Sequence, residues 1–240
     1  MISIVIPALN EEAVIERTLE NMSRMTLFPY ELIVSDGNST DRTVQLAEKY
    51  TDKILIHRGP ERQTIGAARN LGAGFAEYEY LVFLDADVII PDPDAFFRKA
   101  IEIFHTDPDT VAITVSLKVF EESETWADRI IFTLVNCAHF LMNNFFGRGS
   151  ASGEFQMIRR SSFREAGGYN ESLVVAEDND MFARLSGIGK TRMVYGLEVR
   201  HTGRRAHRIG WPRLLMSWWI NGLSVALFKR AACREWKPVR

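Results

Sequence analysis

The chain contains little cysteine and no long apolar run. Its 240 residues include two cysteines, Cys137 and Cys233, which lie far apart and outside any metal-type spacing. This usage argues against a disulfide framework or a zinc site and favours a reducing, intracellular environment. No stretch reaches the ~20 apolar residues of a membrane span, and the N-terminus lacks the basic start of a signal peptide. We therefore expect a cytoplasmic protein.

Acidic residues are absent from one long segment. The formal net charge of −2 gives no overall attraction to nucleic acid, so we expect no nucleic-acid partner. Between Val199 and Arg234, however, there is no Asp or Glu, while arginine and lysine recur. An unopposed basic segment of this kind can bind phosphates or an anionic membrane surface, and it can equally be a solvated face.

Hydrophobic patterning divides the chain into a regular first part and a less regular second part. Up to Asp92, short apolar runs alternate with helical periodicity, which is typical of a mostly parallel sheet flanked by helices. Beyond it we predict an apolar helix at Trp126–Phe146 and a strand pair within Arg192–Val199. The fold class is therefore α/β. The strands predicted in the first part are Ile2–Ile6, Glu31–Ser35, Lys53–His57 and Tyr80–Leu84.

Carboxylates follow two of the predicted strands. Asp36 ends the second strand and is suited to accept hydrogen bonds from a ribose or a nucleobase, while Asp85 and Asp87 follow the fourth strand in the sequence YLVFLDADVIIPD. In open parallel sheets, ligands bind beyond the carboxyl ends of the strands. Two nearby carboxylates repel each other unless a cation or a shared proton relieves them, and Mg²⁺ commonly binds one or two carboxylates plus substrate phosphates. A metal–diphosphate site and a loop of solvated acids both remain open.

Five longer motifs favour the first interpretation. Their order and spacing resemble the family-2 glycosyltransferases, which have the glycosyltransferase A-type fold, over Ile2 to Arg205. The motifs are SIVIPALNEEAVIERTLENM, ELIVSDGNSTDRT, GAARNLGAGFAEYEYLVFLDADV, FREAGGYNESLVVAEDNDMFARL and VRHTGRR. The resemblance implies a nucleoside-diphosphate-sugar donor, a divalent Mn²⁺ or Mg²⁺ ion, and transfer with inversion at the anomeric carbon.

The resemblance also implies a division of the chain. Residues 1–205 form the catalytic domain, in which residues 1–92 bind the nucleotide sugar and residues 93–205 form the acceptor half. Residues 206–240 form a basic, apolar helical extension at the C-terminus.

The donor contacts are carried over from the matching motifs. Arg69 is implied to support the donor phosphates, with a helix-surface arginine as the alternative. Arg204 and Arg205 are implied to neutralise the leaving nucleoside diphosphate, whose charge grows as the sugar departs. The residues implied to hold the nucleoside are Pro7, Leu9, Glu11 and Asp36.

The metal ligands and the catalytic base are assigned in the same way. Asp87 is implied to bind the metal, with Asp85 shared between metal and ribose and His201 near the metal or the diphosphate, although a lone histidine is more often structural. Inverting transfer needs a base that takes the proton of the acceptor hydroxyl. The family's Glu-Asp motif maps to Glu177 and Asp178, and we assign the base to Asp178. Acids at this position can alternatively serve only the helix dipole.

The C-terminal apolar segment bears on the acceptor. The fifteen residues between Arg213 and Lys229 would form about 22 Å of helix, which is short of the ~30 Å hydrocarbon core. Ser217, Asn221 and Ser224 continue from Arg213 as one polar stripe, and large apolar side chains fill the remainder. This pattern indicates a helix in a membrane interface, or one packed on the domain or in a homo-oligomer contact.

These features motivate a lipid-linked acceptor and peripheral contact with the inner face of the cell membrane. A soluble glycosyltransferase with a glycan acceptor remains an alternative. A nucleotidyltransferase is disfavoured because the first loop, PALNEE, is acidic and lacks glycine. A catalytically silent sugar-nucleotide-binding module is disfavoured because the acids of the motifs are intact. The donor base and sugar, the linkage and the oligomeric state stay open.

Overall fold

The computed structural model describes residues 1–228 and 230–233. Two basic residues of the predicted basic segment, Lys229 and Arg234, lie outside this part of the chain. The strands are β1 (Ile2–Ala8), β2 (Tyr30–Asp36), β3 (Ile54–Ile56), β4 (Tyr80–Leu84), β5 (Val88–Ile89), β6 (Thr110–Val119), β7 (Phe155–Arg159) and β8 (Lys190–His201). The helices are α1 (Ile15–Ser23), α2 (Thr43–Ala47), α3 (Ile65–Gly74), α4 (Pro93–Thr106), α5 (Trp126–Phe140), α6 (Arg160–Glu165), α7 (Glu177–Leu185), α8 (Arg204–Ile209) and α9 (Trp211–Phe228).

All of these strands belong to one sheet with the order β3-β2-β1-β4-β7-β6-β8-β5. The first four strands along the chain are mutually parallel. Strand β7 is antiparallel to both β4 and β6, β6 is parallel to β8, and β5 is antiparallel to β8. The predicted α/β class with a parallel first part is confirmed, and the second part adds antiparallel strands.

The sheet is buried on both faces, which explains the continuous apolar character of its central strands. Ile4 and Ile6 of β1 belong to one core cluster, and Val5, between them, belongs to the cluster on the other face. Helix α3 packs closely on this second face, because a Cβ at Gly72 would lie 2.3 Å from Cγ1 of Val5. The Ala- and Gly-rich sequence of α3 therefore permits close packing on β1, and this packing brings Arg69 to the sheet.

Two predicted elements differ from the structure. The predicted strand pair within Arg192–Val199 is wrong, because β8 is one strand whose pairing with β6 shifts register between Val115 and Ser116. The α-helix predicted to reach Phe146 ends at Phe140, and a π-helical segment, Leu141–Phe145, follows it directly. In that segment the Asn143 side-chain amide donates to the carbonyl oxygens of His139 and Ser150 at 2.7 and 2.6 Å, which fixes the wider turn.

Helix α9 turns part of its predicted polar stripe toward the protein. Leu214 and Val225 are buried, and so is Asn221. Oδ1 of Asn221 accepts from the backbone N–H of Cys233 at 3.0 Å, and its Nδ2 donates to the carbonyl of Ser217 at 2.9 Å. The exposed face of α9 is therefore the apolar one. The large apolar residues exposed there are Leu215, Met216, Trp219, Ile220, Leu223, Leu227 and Phe228.

Helix α5 has a comparable exposed apolar stripe. Trp126, Ile130 and Leu134 recur every fourth residue and are exposed, and Phe145 in the π-helical segment is 77% exposed. Within the described part of the chain, no helix combines the length and the apolar character needed to cross a membrane.

Candidate active site

A cleft of about 460 Å³ opens at the carboxyl ends of β1, β2 and β4. One side is formed by the loops that follow these strands, here called the strand-end wall. The other side is formed by α8 and the first half of α9, here called the helical wall. Eight of the predicted site residues line this cleft: Pro7, Leu9, Glu11, Asp85, Asp87, His201, Arg204 and Arg205.

Asp36 stabilises the loop after β2 in the strand-end wall through hydrogen bonds to the backbone. It is fully buried at the end of β2, and its carboxylate accepts from the backbone N–H groups of Asn38 and Ser39 at 3.0 and 2.8 Å. The hydroxyl of Ser39 in turn accepts from the N–H of Asn10 at 2.7 Å, which ties the loops after β1 and β2 together. The neighbouring Gly37 lines the cleft, whereas Asp36 does not, so the predicted nucleoside contact of Asp36 stays a prediction.

Arg69 is the buried centre of the site. It is 1% exposed, so the alternative of a surface arginine is wrong. Its Nη1 donates to Oε1 of Glu177 at 2.8 Å, and its Nη2 donates to Oδ1 of Asp85 at 3.0 Å and to the carbonyl of Gly153 at 2.9 Å. Burial alone would lower the pKa of Arg69, but the acidic groups around it raise that pKa above its ordinary value. The guanidinium thus joins α3, the end of β4 and α7, while its predicted role toward phosphates stays a prediction.

Asp85 and Asp178 meet across a glycine. A Cβ at Gly153 would lie 3.6 Å from Oδ2 of Asp178 and 3.7 Å from Oδ2 of Asp85, so these oxygens are no more than about 7 Å apart. Burial raises the pKa of Asp178 to about 8, with Glu177 adding to the increase and Arg69 opposing it. Burial likewise raises the pKa of Asp85 to about 7. Arg69 opposes the increase at Asp85, whereas Glu154 and Asp87 add to it, so the carboxylates around the end of β4 favour a proton or a cation.

Asp87 and Glu11 are joined by Arg204. The guanidinium of Arg204 binds Glu11 through two hydrogen bonds of 2.6 and 2.9 Å, and its Nε lies 3.4 Å from Oδ2 of Asp87. Asp87 also accepts a hydrogen bond from the hydroxyl of Thr202. Bidentate arginine–carboxylate pairs fix orientation as well as charge. The helical wall is therefore attached to the strand-end wall inside the cleft.

His201 lines the cleft but does not complete a three-residue metal site with Asp85 and Asp87. Within residues 1–228 and 230–233, no three acidic, histidine or cysteine side chains are arranged to hold a metal ion. The hydrogen bond to Asp87 comes from the next residue, Thr202, whose hydroxyl donates to that carboxylate. Nδ1 of His201 accepts from the N–H of Gly203 at 3.3 Å, and its Nε2 is buried with no hydrogen-bond partner.

The match to a known family decides the identity of the chain. The profile described as Glycosyl transferase family 2 matches residues 3–167. The chain belongs to glycosyl transferase family 2. The family inferred from the motifs is confirmed.

Curated relatives of this family 2 member are named as biosynthesis proteins. The chain is 30% identical to the succinoglycan biosynthesis protein ExoA of Rhizobium meliloti over 80% of its own length and 62% of that protein. It is 35% identical to a PGL/p-HBAD biosynthesis glycosyltransferase of Mycobacterium tuberculosis over 45% of its own length and 43% of that protein. The chain thus spans about two fifths to three fifths of the length of these relatives.

Solved structures share the fold. The mannosyltransferase PcManGT from Pyrobaculum calidifontis, in complex with GDP-Man and Mn²⁺, has a TM-score of 0.73 at 18% identity, covering 94% of this chain and 64% of that one. Glucosyl-3-phosphoglycerate synthase from Mycobacterium tuberculosis, in complex with Mn²⁺ and UDP-glucose, has a TM-score of 0.64 at 21% identity, covering 95% and 78%. These likenesses establish the fold of this glycosyltransferase.

Sequence reasoning missed several residues of the site in this glycosyltransferase. Glu154 lines the cleft, and its charge contributes to the raised pKa of Asp85. Gly153 leaves room for the group around Arg69. Both lie in a glycine-rich loop that gave no indication of its partners. The antiparallel pairing of Leu84 with Phe155 brings this loop beside the end of β4, and a sequence pattern does not show that pairing.

Proposed function

We propose that this protein transfers a sugar from a nucleoside-diphosphate sugar to an acceptor hydroxyl or phosphate, with inversion at the anomeric carbon and with a divalent metal ion. The observation that carries this proposal is the convergence of Asp85 and Asp178 around Gly153, beside a cleft that also holds Asp87 and two arginines. Such a cleft offers carboxylates for a cation and a base, and guanidinium groups for a diphosphate.

The donor set fits a metal–diphosphate site. Asp87 and Asp85 would hold a Mn²⁺ or Mg²⁺ ion through carboxylate oxygens, with phosphate oxygens of the donor as further ligands. The ion would stabilise the negative charge that develops on the departing diphosphate. His201 supports this arrangement in a different way. Because its Nδ1 accepts from Gly203, the neutral ring carries its proton on Nε2, which is unpartnered and suited to donate to a phosphate oxygen.

The nucleoside and the leaving group would contact opposite walls. Pro7 and Leu9 line the strand-end wall and are suited to pack against the nucleoside, with Asp36 bracing the loop. Glu11 is committed to Arg204, so its contribution would be to hold that arginine beside the diphosphate. Arg205, on the helical wall, would add a second positive charge. The resulting charge balance favours departure of the nucleoside diphosphate.

Asp178 is the proposed base. The acceptor oxygen forms a bond to the anomeric carbon, the bond from that carbon to the phosphate oxygen breaks, and the hydroxyl proton passes to the Asp178 carboxylate. Oδ1 of Asp178 accepts from the N–H of Asn179 at 2.7 Å, while Oδ2 faces Gly153 and Asp85. A raised pKa makes this carboxylate a stronger base near neutral pH. A phosphate acceptor would already be ionised and would not require this step.

We propose a lipid-linked acceptor and peripheral membrane contact. The exposed apolar faces of α5 and α9, together with the absence of acidic residues after Val199 in the described segment, support this proposal. A flotation assay with anionic and neutral vesicles tests it, using Trp219→Ser as the variant and Phe75→Ser, also at an exposed aromatic residue, as the matched control. Co-flotation with anionic vesicles that weakens only in Trp219→Ser is expected. A protein that remains in the soluble fraction would instead favour a glycan acceptor.

The reaction itself is tested by a donor screen. UDP-, GDP- and dTDP-sugars are incubated with the protein, with and without Mn²⁺, and nucleoside diphosphate release is followed. We expect one donor class to react, with release that depends on the metal. In a parallel incubation with nucleoside triphosphates and sugar 1-phosphates, release of pyrophosphate would indicate a nucleotidyltransferase. Metal-dependent nucleotide binding with no release, even with membrane-extracted acceptors present, would indicate a silent binding module and contradict the proposal.

A further inference from the structure

A single buried carboxylate joins three helices next to the cleft. Asp128 lies in the first turn of α5 and is fully buried. Its Oδ2 accepts from Nε2 of His207 in α8 at 2.7 Å, and its Oδ1 accepts from Nε1 of Trp211 in α9 at 2.8 Å. The donors come from residues far along the chain, so Asp128 fixes the position of α8 and α9 relative to α5.

A capping role alone does not account for these contacts. Asp128 does complete a capping box. Its carboxylate accepts from the N–H of Thr125 at 2.7 Å, and the backbone N–H of Asp128 donates to the hydroxyl of Thr125 at 3.2 Å. A capping box needs only these two residues and is ordinarily solvated. Burial would raise the pKa of Asp128, but the hydrogen bonds from His207, Thr125 and Trp211 outweigh it and hold that pKa below its ordinary value.

Helix α8 has the construction of a hinged segment. It has six residues and lies between Gly203 and Gly210, whose φ angles of 64° and 88° fall in the region that favours glycine. Its first residue, Arg204, binds Glu11 of the strand-end wall. Its fourth residue, His207, binds Asp128. The helix is thus attached at one end to the donor loop and one turn later to α5.

We propose that Asp128 is a positioning residue for the diphosphate-binding arginines of this enzyme. By holding His207 and Trp211, it fixes α8 so that Arg204 and Arg205 face the cleft. Without it, α8 would keep the attachment of Arg204 to Glu11 but would lose the hydrogen bonds that hold α8 and α9 against α5. This inference rests on the proposed donor site and goes beyond it, because it assigns a function to a residue outside the cleft.

The experiment measures nucleotide affinity by calorimetry, with UDP, GDP and dTDP as probes, each in the presence of Mn²⁺. The variants are Asp128→Asn, His207→Ala and the double variant. For the nucleotide that the wild-type protein binds, each single variant is expected to lower the affinity by about tenfold, since pre-organised contacts are lost. The double variant should be no weaker than either single variant, because both break the same attachment. His207→Gln, whose amide can still donate to Asp128, should restore most of the affinity.

Two controls separate positioning from stability. Thr125→Ala removes the capping hydroxyl but leaves both distant donors on Asp128. Asp92→Ala removes the N-cap of α4, in which Asp92 accepts from the N–H of Ala95. Both should lower the melting temperature and leave nucleotide affinity unchanged. If Asp128→Asn does not fold, His207→Ala, at a partly exposed side chain, carries the test alone.

The outcomes distinguish this inference from the proposed function. Unchanged nucleotide affinity in folded Asp128→Asn and His207→Ala would overturn the positioning role while leaving the donor site intact. Loss of affinity in the Thr125→Ala and Asp92→Ala controls as well would reduce Asp128 to a stability residue. A wild-type protein that binds none of UDP, GDP and dTDP would remove the proposed donor site, and with it this inference.

Discussion

On the strand-end wall of the cleft, backbone groups are tied to side chains of the neighbouring loop. The N–H groups of Asn10 and Glu11 donate to Ser39 and Thr43, each at 2.7 Å. On the helical wall, α8 is a short helix between two glycines, and α9 exposes an apolar face. One wall is therefore pre-organised by local hydrogen bonds, whereas the other depends on a few distant attachments.

This difference has a functional consequence. Groups that hold a metal and orient a base need fixed geometry, which rigid elements supply. Segments that admit a substrate or release a product are drawn from the less stable parts of a fold. We expect the strand-end wall and the Arg69 centre to determine the chemical step, and the helical wall to determine access and departure of the nucleotide.

The largest effect is expected at the proposed base. Asp178→Asn should lower kcat by about 10²- to 10⁴-fold, because the amide cannot accept the acceptor proton. Donor affinity should change little, since the metal and diphosphate contacts lie elsewhere. The control is Asp180→Asn on the same helix, where the wild-type carboxylate binds Nε of Arg184 at 2.9 Å. That variant should lose stability rather than turnover per folded molecule. Full transfer activity in Asp178→Asn would refute the assignment.

Substitution of Gly153 tests whether activity requires the present positions of the Asp85 and Asp178 carboxylates. In Gly153→Ala the new methyl would lie 3.0 Å from Nη2 of Arg69 and 3.6 Å from Oδ2 of Asp178. Displacement of either group should lower kcat by about 10- to 100-fold. Gly74→Ala is the matched control, because its added Cβ has no atom within 4 Å. Equal activity in the two variants would mean that the group around Arg69 tolerates displacement.

The sequence predicted the parts of the site that depend on local order. Asp85 and Asp87 follow an apolar strand directly, so their place at the sheet edge could be read from the chain. The pairing of Arg69 with Glu177 joins residues 108 positions apart, and only tertiary packing reveals it. The buried side of α9 was also unpredictable. Its polar stripe is periodic, but Asn221 in that stripe is buried with Ser217 and Cys233 as partners, and large apolar side chains are exposed instead.

The third prediction concerns the pH dependence of protein stability and returns to Asp178. Its folded pKa of about 8 lies above the ordinary value of 3.8. Such a group favours folding while it is protonated, so its contribution is complete below about pH 4 and is lost as the pH rises through about 8. Asp178→Asn should therefore gain stability relative to the wild-type protein between pH 5 and pH 9. Because the side chain is only partly buried, we expect a gain on the order of 1 kcal/mol.

Thermal unfolding at several pH values measures this difference. The raised pKa of Asp85 contributes to both proteins and largely cancels in the comparison. Asp109→Asn, at an exposed carboxylate, serves as the control and should follow the wild-type curve. Parallel curves for Asp178→Asn and the wild-type protein would show that the folded pKa of Asp178 is ordinary.

The smallest effects compare two helical glycines, one in α3 and one in α9. Gly72→Ala in α3 would bring Cβ to 2.3 Å from Cγ1 of Val5. This overpacking should cost about 1–3 kcal/mol of unfolding free energy. Gly222→Ala in α9 meets no atom within 4 Å and lies inside a helix. It should therefore be neutral or stabilising by up to about 1 kcal/mol. Denaturant unfolding measures both, and a destabilised Gly222→Ala would indicate that α9 packs more tightly than the contrast between the two walls implies.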